Sequence, residues 1–127
     1  MRESVEARNH MVTHKDLDVW KMGLDLVERL YKVTVAFPKE EQFCLTAQIR
    51  RAAISVPSNI AEGAARNSKR EFLQYLYISL GSLSEVETQL LIARRLGYLE
   101  DEDIFEHIEH LRRKLLNFIK YVKGKSL

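Results

Sequence analysis

The chain has 127 residues, 46% of them hydrophobic and 30% charged, with 20 Lys and Arg against 18 Asp and Glu. That length fits one domain, and the composition excludes disorder. Two prolines and five glycines are too few for an all-β fold, and a formal charge of +2 lies far from the balance of a dedicated nucleic-acid binder.

Residues 1–13 read as a mobile polar arm, within which Met11 is an alternative start. The opening has no hydrophobic core and is not a secretory signal. No apolar run approaches the roughly 18–20 residues of a membrane span. Cys44, the only cysteine, cannot form an internal disulfide. A lone thiol without a signal points to the cytoplasm. Flanked by Phe43 and Leu45, it reads as a packed, inert residue rather than a nucleophile.

The pattern predicts four helices, at about 16–36, 40–65, 69–96 and 101–123. The first starts near Asp16, with Thr13 as an alternative cap, and carries an apolar stripe of Leu17, Trp20, Leu24, Val27 and Tyr31. A second stripe, Leu26, Leu30, Val33 and Phe37, runs beside it, and Pro38 closes the segment. The second helix has the stripe Leu45, Ile49, Ala52, Val56, Ile60 and Gly63, with Pro57 expected to kink it. The third opens on a capping box, Ser68 with Glu71, runs through Phe72, Leu76, Leu83, Val86 and Leu90, and ends before Gly97. The fourth has acids at its start and bases at its end, which suits the helix dipole. Its stripe of Ile104, Ile108, Leu111, Leu115, Phe118 and Val122 is unbroken. Such helices on short loops pack as an antiparallel up-down-up-down four-helix bundle over 14–124.

The apolar surface exceeds one core. Between Phe72 and Leu80 the third helix is apolar or aromatic nearly all round, and the first helix has two stripes plus Val19 and Met22. A helix apolar on more than one side must be covered on more than one side, so a homo-oligomer is expected. Its interface candidates are Leu26, Leu30, Val33, Leu73, Tyr77 and Leu80.

Heptad spacing on the second helix lines up a polar strip: Gln48, Arg51, Ser55, Asn59, Glu62 and Arg66. It serves either as a hydrogen-bonding seam that fixes register or as a binding surface. The opposite flank, Thr46, Ala53, Pro57, Ala61 and Ala64, is small enough for a neighbouring helix to approach closely. Basic residues fall into clusters near helix ends: Arg66, Lys69 and Arg70; Arg94 and Arg95; Lys123 and Lys125. They are either solubilising charge or candidate nucleic-acid contacts, which a ring would repeat into a charged annulus.

Asp16-Leu17-x-Val19-Trp20, Pro38 with Glu41, Leu45, Gln48, Arg51, Ala52 and Ser55, the string Asn59-Ile60-Ala61-Glu62-Gly63, Glu71-Phe72 and Gly81-Ser82-x-x-Glu85 carry a resemblance. Over about 14–123 the chain resembles the four-helix-bundle proteins encoded in bacterial 23S rRNA intervening sequences. The resemblance implies a bundle that assembles into a barrel-like ring, typically a pentamer, with no known enzymatic activity. The accessory protein of diversity-generating retroelements is similar in fold and binds nucleic acid and a reverse transcriptase. It is strongly basic, and this chain is not.

Catalytic patterns are missing. A di-iron bundle needs Glu-x-x-His on two helices, and the chain has none. His107 and His110 lie off the apolar stripe and read as solvated rather than metal-bound. No phosphate loop and no Gly-x-Ser-x-Gly occurs. The expectation is a non-enzymatic protein without a cofactor. It binds RNA or a nucleic-acid-processing protein, or else serves as an adaptor that touches no nucleic acid.

Overall fold

The computed structural model describes residues 14–100 and 103–124, which hold four α-helices and no strand. They are α1 (Asp18–Thr34), α2 (Leu45–Ala64), α3 (Lys69–Arg95) and α4 (Asp103–Lys123), with 3-10 turns at His14–Asp16 and Lys39–Glu41. The expected polar arm and the alternative start at Met11 lie outside the described residues.

The helix ends follow local chemistry. Residues 14–16 wind into a turn closed by the Leu17 amide on the His14 carbonyl at 3.1 Å, so α1 starts two residues after Asp16. The second helix starts at Leu45 rather than at residue 40, because Cys44 leaves helical geometry at ψ −102°. The Glu41 carboxylate accepts the Leu45 amide at 3.3 Å and caps the new helix. Cys44 therefore belongs to a turn and is exposed, which corrects the expectation of a packed thiol. Its neighbour Phe43 is 86% exposed.

At α3 the Ser68 hydroxyl accepts the Glu71 amide at 3.1 Å, as an N-cap should. The other end closes in a Schellman turn. Gly97 takes φ +83°, Tyr98 donates to the Ala93 carbonyl at 2.9 Å, and Gly97 donates to Arg94 at 3.1 Å. Only glycine enters that left-handed region without strain.

Close backbone approaches run α1 to α2, α2 to α3, α3 to α4 and α4 to α1, with none across either diagonal among the described residues. The paired positions run in opposite chain order. Gly23 meets Pro57 while Thr34 meets Arg50; Ser55 meets Ser82 while Gly63 meets Tyr75; Lys69 meets Lys123 while Arg94 meets Phe105.

The core ranks the two stripes of α1. Leu26 and Leu30 are completely buried, whereas Leu24 and Tyr31 of the other stripe stay exposed. Leu26 and Leu30 are core residues of the single chain and leave the list of interface candidates. Two stripes centred about 130° apart at 100° per residue cannot both reach full depth in one interior, and Leu17, Trp20 and Val27 of the other stripe pack only part-way against the core. Pro57 lies inside α2, which remains α-helical on both sides of it. The small flank of α2 fits closely: Thr46, Ala53 and Pro57 are buried, and Gly23 of α1 sits against the proline ring.

Candidate functional site

Two groups of polar residues emerge from this framework. The first is the seam between α2 and α3. Ser55 and Asn59 are half-buried there, while Gln48, Arg51, Glu62 and Arg66 lie exposed along its rim. The Ser55 and Ser82 hydroxyls bond each other at 2.7 Å, and the Asn59 amide donates to both the hydroxyl and the carbonyl of Ser55 at 2.8 Å. Ser79, completely buried, donates its hydroxyl to the Val56 carbonyl at 2.8 Å. Part of the strip is thus a hydrogen-bonding seam, and the inner members are spent on structure.

Toward the α2 N-terminus the seam opens into a groove of about 420 Å³ lined by Gln48, Arg51, Ala52, Ser55 and Glu85. Among the described residues Arg51 has no hydrogen-bond or ion-pair partner. Glu85 receives one weak bond, from the Gln89 amide at 3.3 Å. Gln89 is 7% exposed, and its Oε1 is buried without a donor. The groove therefore offers an open guanidinium and an open carboxylate, while the Gln89 Oε1 lies buried outside its lining. Ser79 and Gln89 escaped sequence reading, and Ser82 entered it only as part of the Gly81-Ser82-x-x-Glu85 resemblance. Their signal was a polar line at spacings of three and seven beside the α3 stripe, masked by the apolar run around it.

The second group is basic and sits at one end of the bundle. Arg66, Lys69 and Arg70 follow each other through the α2–α3 turn, and folding brings Lys123 to them: the Lys69 ammonium donates to the Lys123 carbonyl at 2.9 Å. Aromatic rings lie beneath these cations. Lys123 Nζ is 5.3 Å from the Tyr77 ring, and the Arg66 guanidinium is 5.0 Å from the Tyr75 ring. Arg66 also donates to Glu62 at 2.9 Å and to the Tyr75 hydroxyl at 2.7 Å. The hydrogen bond to Glu62, then the charge of Tyr75, hold its guanidinium above the ordinary value. An apolar-floored hollow of about 530 Å³ lies alongside, lined by Lys69, Arg70, Leu73, Gln74 and Tyr77.

Arg94 and Arg95 do not join this end. They stand on the last turn of α3, about 36 Å from Arg70 at 1.5 Å per residue. There Arg94 covers the Phe105 ring at 4.5 Å. Lys125 lies outside the described residues. Of the remaining interface candidates, Val33, Leu73 and Leu80 are half-buried and Tyr77 is exposed.

The sequence model described as 23S rRNA-intervening sequence protein matches residues 15–119. The chain belongs to the 23S rRNA-intervening sequence protein family. A crystal structure of a protein of unknown function from the S23 ribosomal protein family of Bacteroides thetaiotaomicron VPI-5482 superposes with a TM-score of 0.73. It shares 24% identity and covers 80% of this chain and 95% of its own, a likeness of fold. No curated protein matches. In this member of the 23S rRNA-intervening sequence protein family no helix is long and apolar enough to cross a membrane, among the described residues.

His107 departs from the solvated histidine expected. It packs at the α4–α1 seam, half-buried, with its Nε2 buried and unpartnered. Burial, then the Arg29 guanidinium, hold it below its ordinary value of 6.5, against the pull of a hydrogen bond to the Met22 backbone.

Proposed function

We propose that this protein is a non-enzymatic, cytoplasmic homo-oligomer of antiparallel up-down-up-down bundles that binds RNA through the basic end of each subunit. The observation that carries this reading is the convergence of Arg66, Lys69, Arg70 and Lys123 at one end of the bundle, with Arg66 over the Tyr75 ring and Lys123 over the Tyr77 ring. Clustered cations held in place by aromatic rings offer contacts to backbone phosphates. The opposed chain order of paired positions supports the antiparallel arrangement. The twelve large hydrophobic side chains left exposed among the described residues support self-association. A pentameric ring, as the family resemblance implies, repeats a local charge that is modest in one copy of net charge +2 into an annulus that contacts several phosphates.

Filter binding to a structured RNA at several salt concentrations tests the RNA reading. Affinity that falls steeply with salt, and that is weakened by Lys69→Glu with Arg70→Glu, is the expected result. Binding no tighter than to an albumin control at low salt would end it.

The groove favours a second reading, a protein-binding adaptor with no nucleic-acid contact. Arg51 and Glu85 are charged groups without adequate partners in a depression between helices. Recovery of one stoichiometric protein with the native complex, free of nucleic acid and lost on Arg51→Glu, supports that alternative.

A further inference from the structure

Two hollows lie side by side at the basic end of the bundle. The first, about 410 Å³, is lined by Arg66, Asn67, Ser68, Lys69 and Phe72. The second, about 530 Å³, is lined by Lys69, Arg70, Leu73, Gln74 and Tyr77, so Lys69 stands between the two. Each combines the same three parts. Phe72, held edge-on to the Phe118 ring at 5.8 Å, gives the first its apolar surface, and Leu73, packed against the core, gives the second its own beside Tyr77. Arg66 and Lys69 border one, Lys69 and Arg70 the other. An exposed carboxamide completes each, Asn67 in the first and Gln74 in the second, and neither has a hydrogen-bond partner among the described residues.

Nearby acids do not cancel the charge. Glu62 is engaged with Arg66 at 2.9 Å, and Glu71 receives the Ser68 hydroxyl at 3.4 Å in the first turn of α3. Against those two stand Arg66, Lys69, Arg70 and Lys123, with Lys120 one turn before Lys123 on α4. Lys15 and Asp18 belong to the start of α1, which makes no close backbone approach to α3 among the described residues. A polymer that brings one anionic group and one flat polar ring per repeat matches two such sets in tandem. We infer that the basic end takes two consecutive unpaired nucleotides, one base in each hollow and the linking phosphate at Lys69. This rests on the RNA reading and names the class of RNA. Phosphates satisfy the cations whether the strand is paired or not. A paired base, however, hides its Watson–Crick edge and its faces inside the duplex. Only a loop, a bulge or a free strand offers the donor and acceptor that a carboxamide can meet.

Fluorescence anisotropy on the full chain tests this with an oligouridylate of about ten nucleotides and an RNA duplex of the same length, each at several salt concentrations. The single strand should bind about tenfold tighter than the duplex at equal salt. Asn67→Ala with Gln74→Ala should bring the two close to parity and leave the salt dependence unchanged, since no charge is removed. Both side chains are exposed, so the fold is spared. A duplex that binds as tightly as the strand, or a double variant that keeps the full preference, overturns the inference. Poly-glutamate that binds as tightly as the single strand overturns it in favour of an acidic protein surface. Binding of neither RNA above an albumin control ends the RNA reading and this inference together.

Discussion

Gly63 faces Tyr75 across the α2–α3 seam so closely that a Cβ on residue 63 would lie 2.7 Å from the Tyr75 Cβ and 3.0 Å from the Phe72 ring. Neither obstacle is the tip of a flexible chain. Gly63→Ala should therefore destabilise the fold by about 1–3 kcal/mol, despite the better helix propensity of alanine. Gly81 is the control: it sits mid-helix in α3, and an added Cβ meets nothing within 4 Å. Gly81→Ala should stabilise by about 0.5–1 kcal/mol. Urea unfolding of both decides it, and equal effects of the same sign would contradict this account.

Ser79 and Val56 make a second bond across the same seam, completely buried on the serine side. Ser79→Ala keeps the close helix approach but deletes the donor, at a cost of about 0.5–1.5 kcal/mol. Thr88 offers a comparison, since its hydroxyl returns to its own helix at Ser84 and is exposed. Thr88→Ala should stay within about 0.5 kcal/mol of wild type by the same measurement.

Glu41 serves two partners, capping Leu45 with one oxygen and accepting the Tyr98 hydroxyl at 3.1 Å with the other. That hydrogen bond, then burial, raises the Tyr98 phenol above its ordinary value. Glu41→Ala should cost about 0.5–2 kcal/mol and Tyr98→Phe about 0.5–1.5 kcal/mol. The double variant should cost less than the sum, because the shared bond is counted twice. Strict additivity in thermal or urea unfolding would show that the two groups do not interact in solution.

His107 makes stability fall with acid. Its proton affinity is lower in the folded chain than the ordinary 6.5, so between that value and the lowered one the unfolded chain binds more protons. Stability is intact above about pH 6.5 and drains as pH drops through that window. The midpoint of thermal unfolding should decline from pH 7.5 to 5.5 more steeply in wild type than in His107→Gln. Parallel profiles would assign the acid sensitivity elsewhere.

Much of the architecture was legible because amphipathic period is local. In the α4 stripe Ile104, Ile108, Leu111, Leu115 and Val122 are buried, while Phe118 is half-buried and its neighbour Ile119 takes the core position. The Ser68 cap and the Gly97 turn were equally readable, since each satisfies backbone groups within a few residues. The start of α2 was misread because helix-forming Glu40, Glu41 and Gln42 continue the pattern, while the observed cap is the Glu41 side chain reaching forward.

What the chain determined alone was which segments are helical and which sides of them repel water, because backbone hydrogen bonding and a 3.6-residue period act over neighbouring residues. Tertiary structure decided depth and company. It chose Leu26 and Leu30 over Leu24 and Tyr31 for the interior. It carried Lys123 to Lys69 and left Arg94 at the far end of α3. Two apolar stripes of similar strength, or two basic clusters of similar charge, are indistinguishable until distant segments exclude each other's volume.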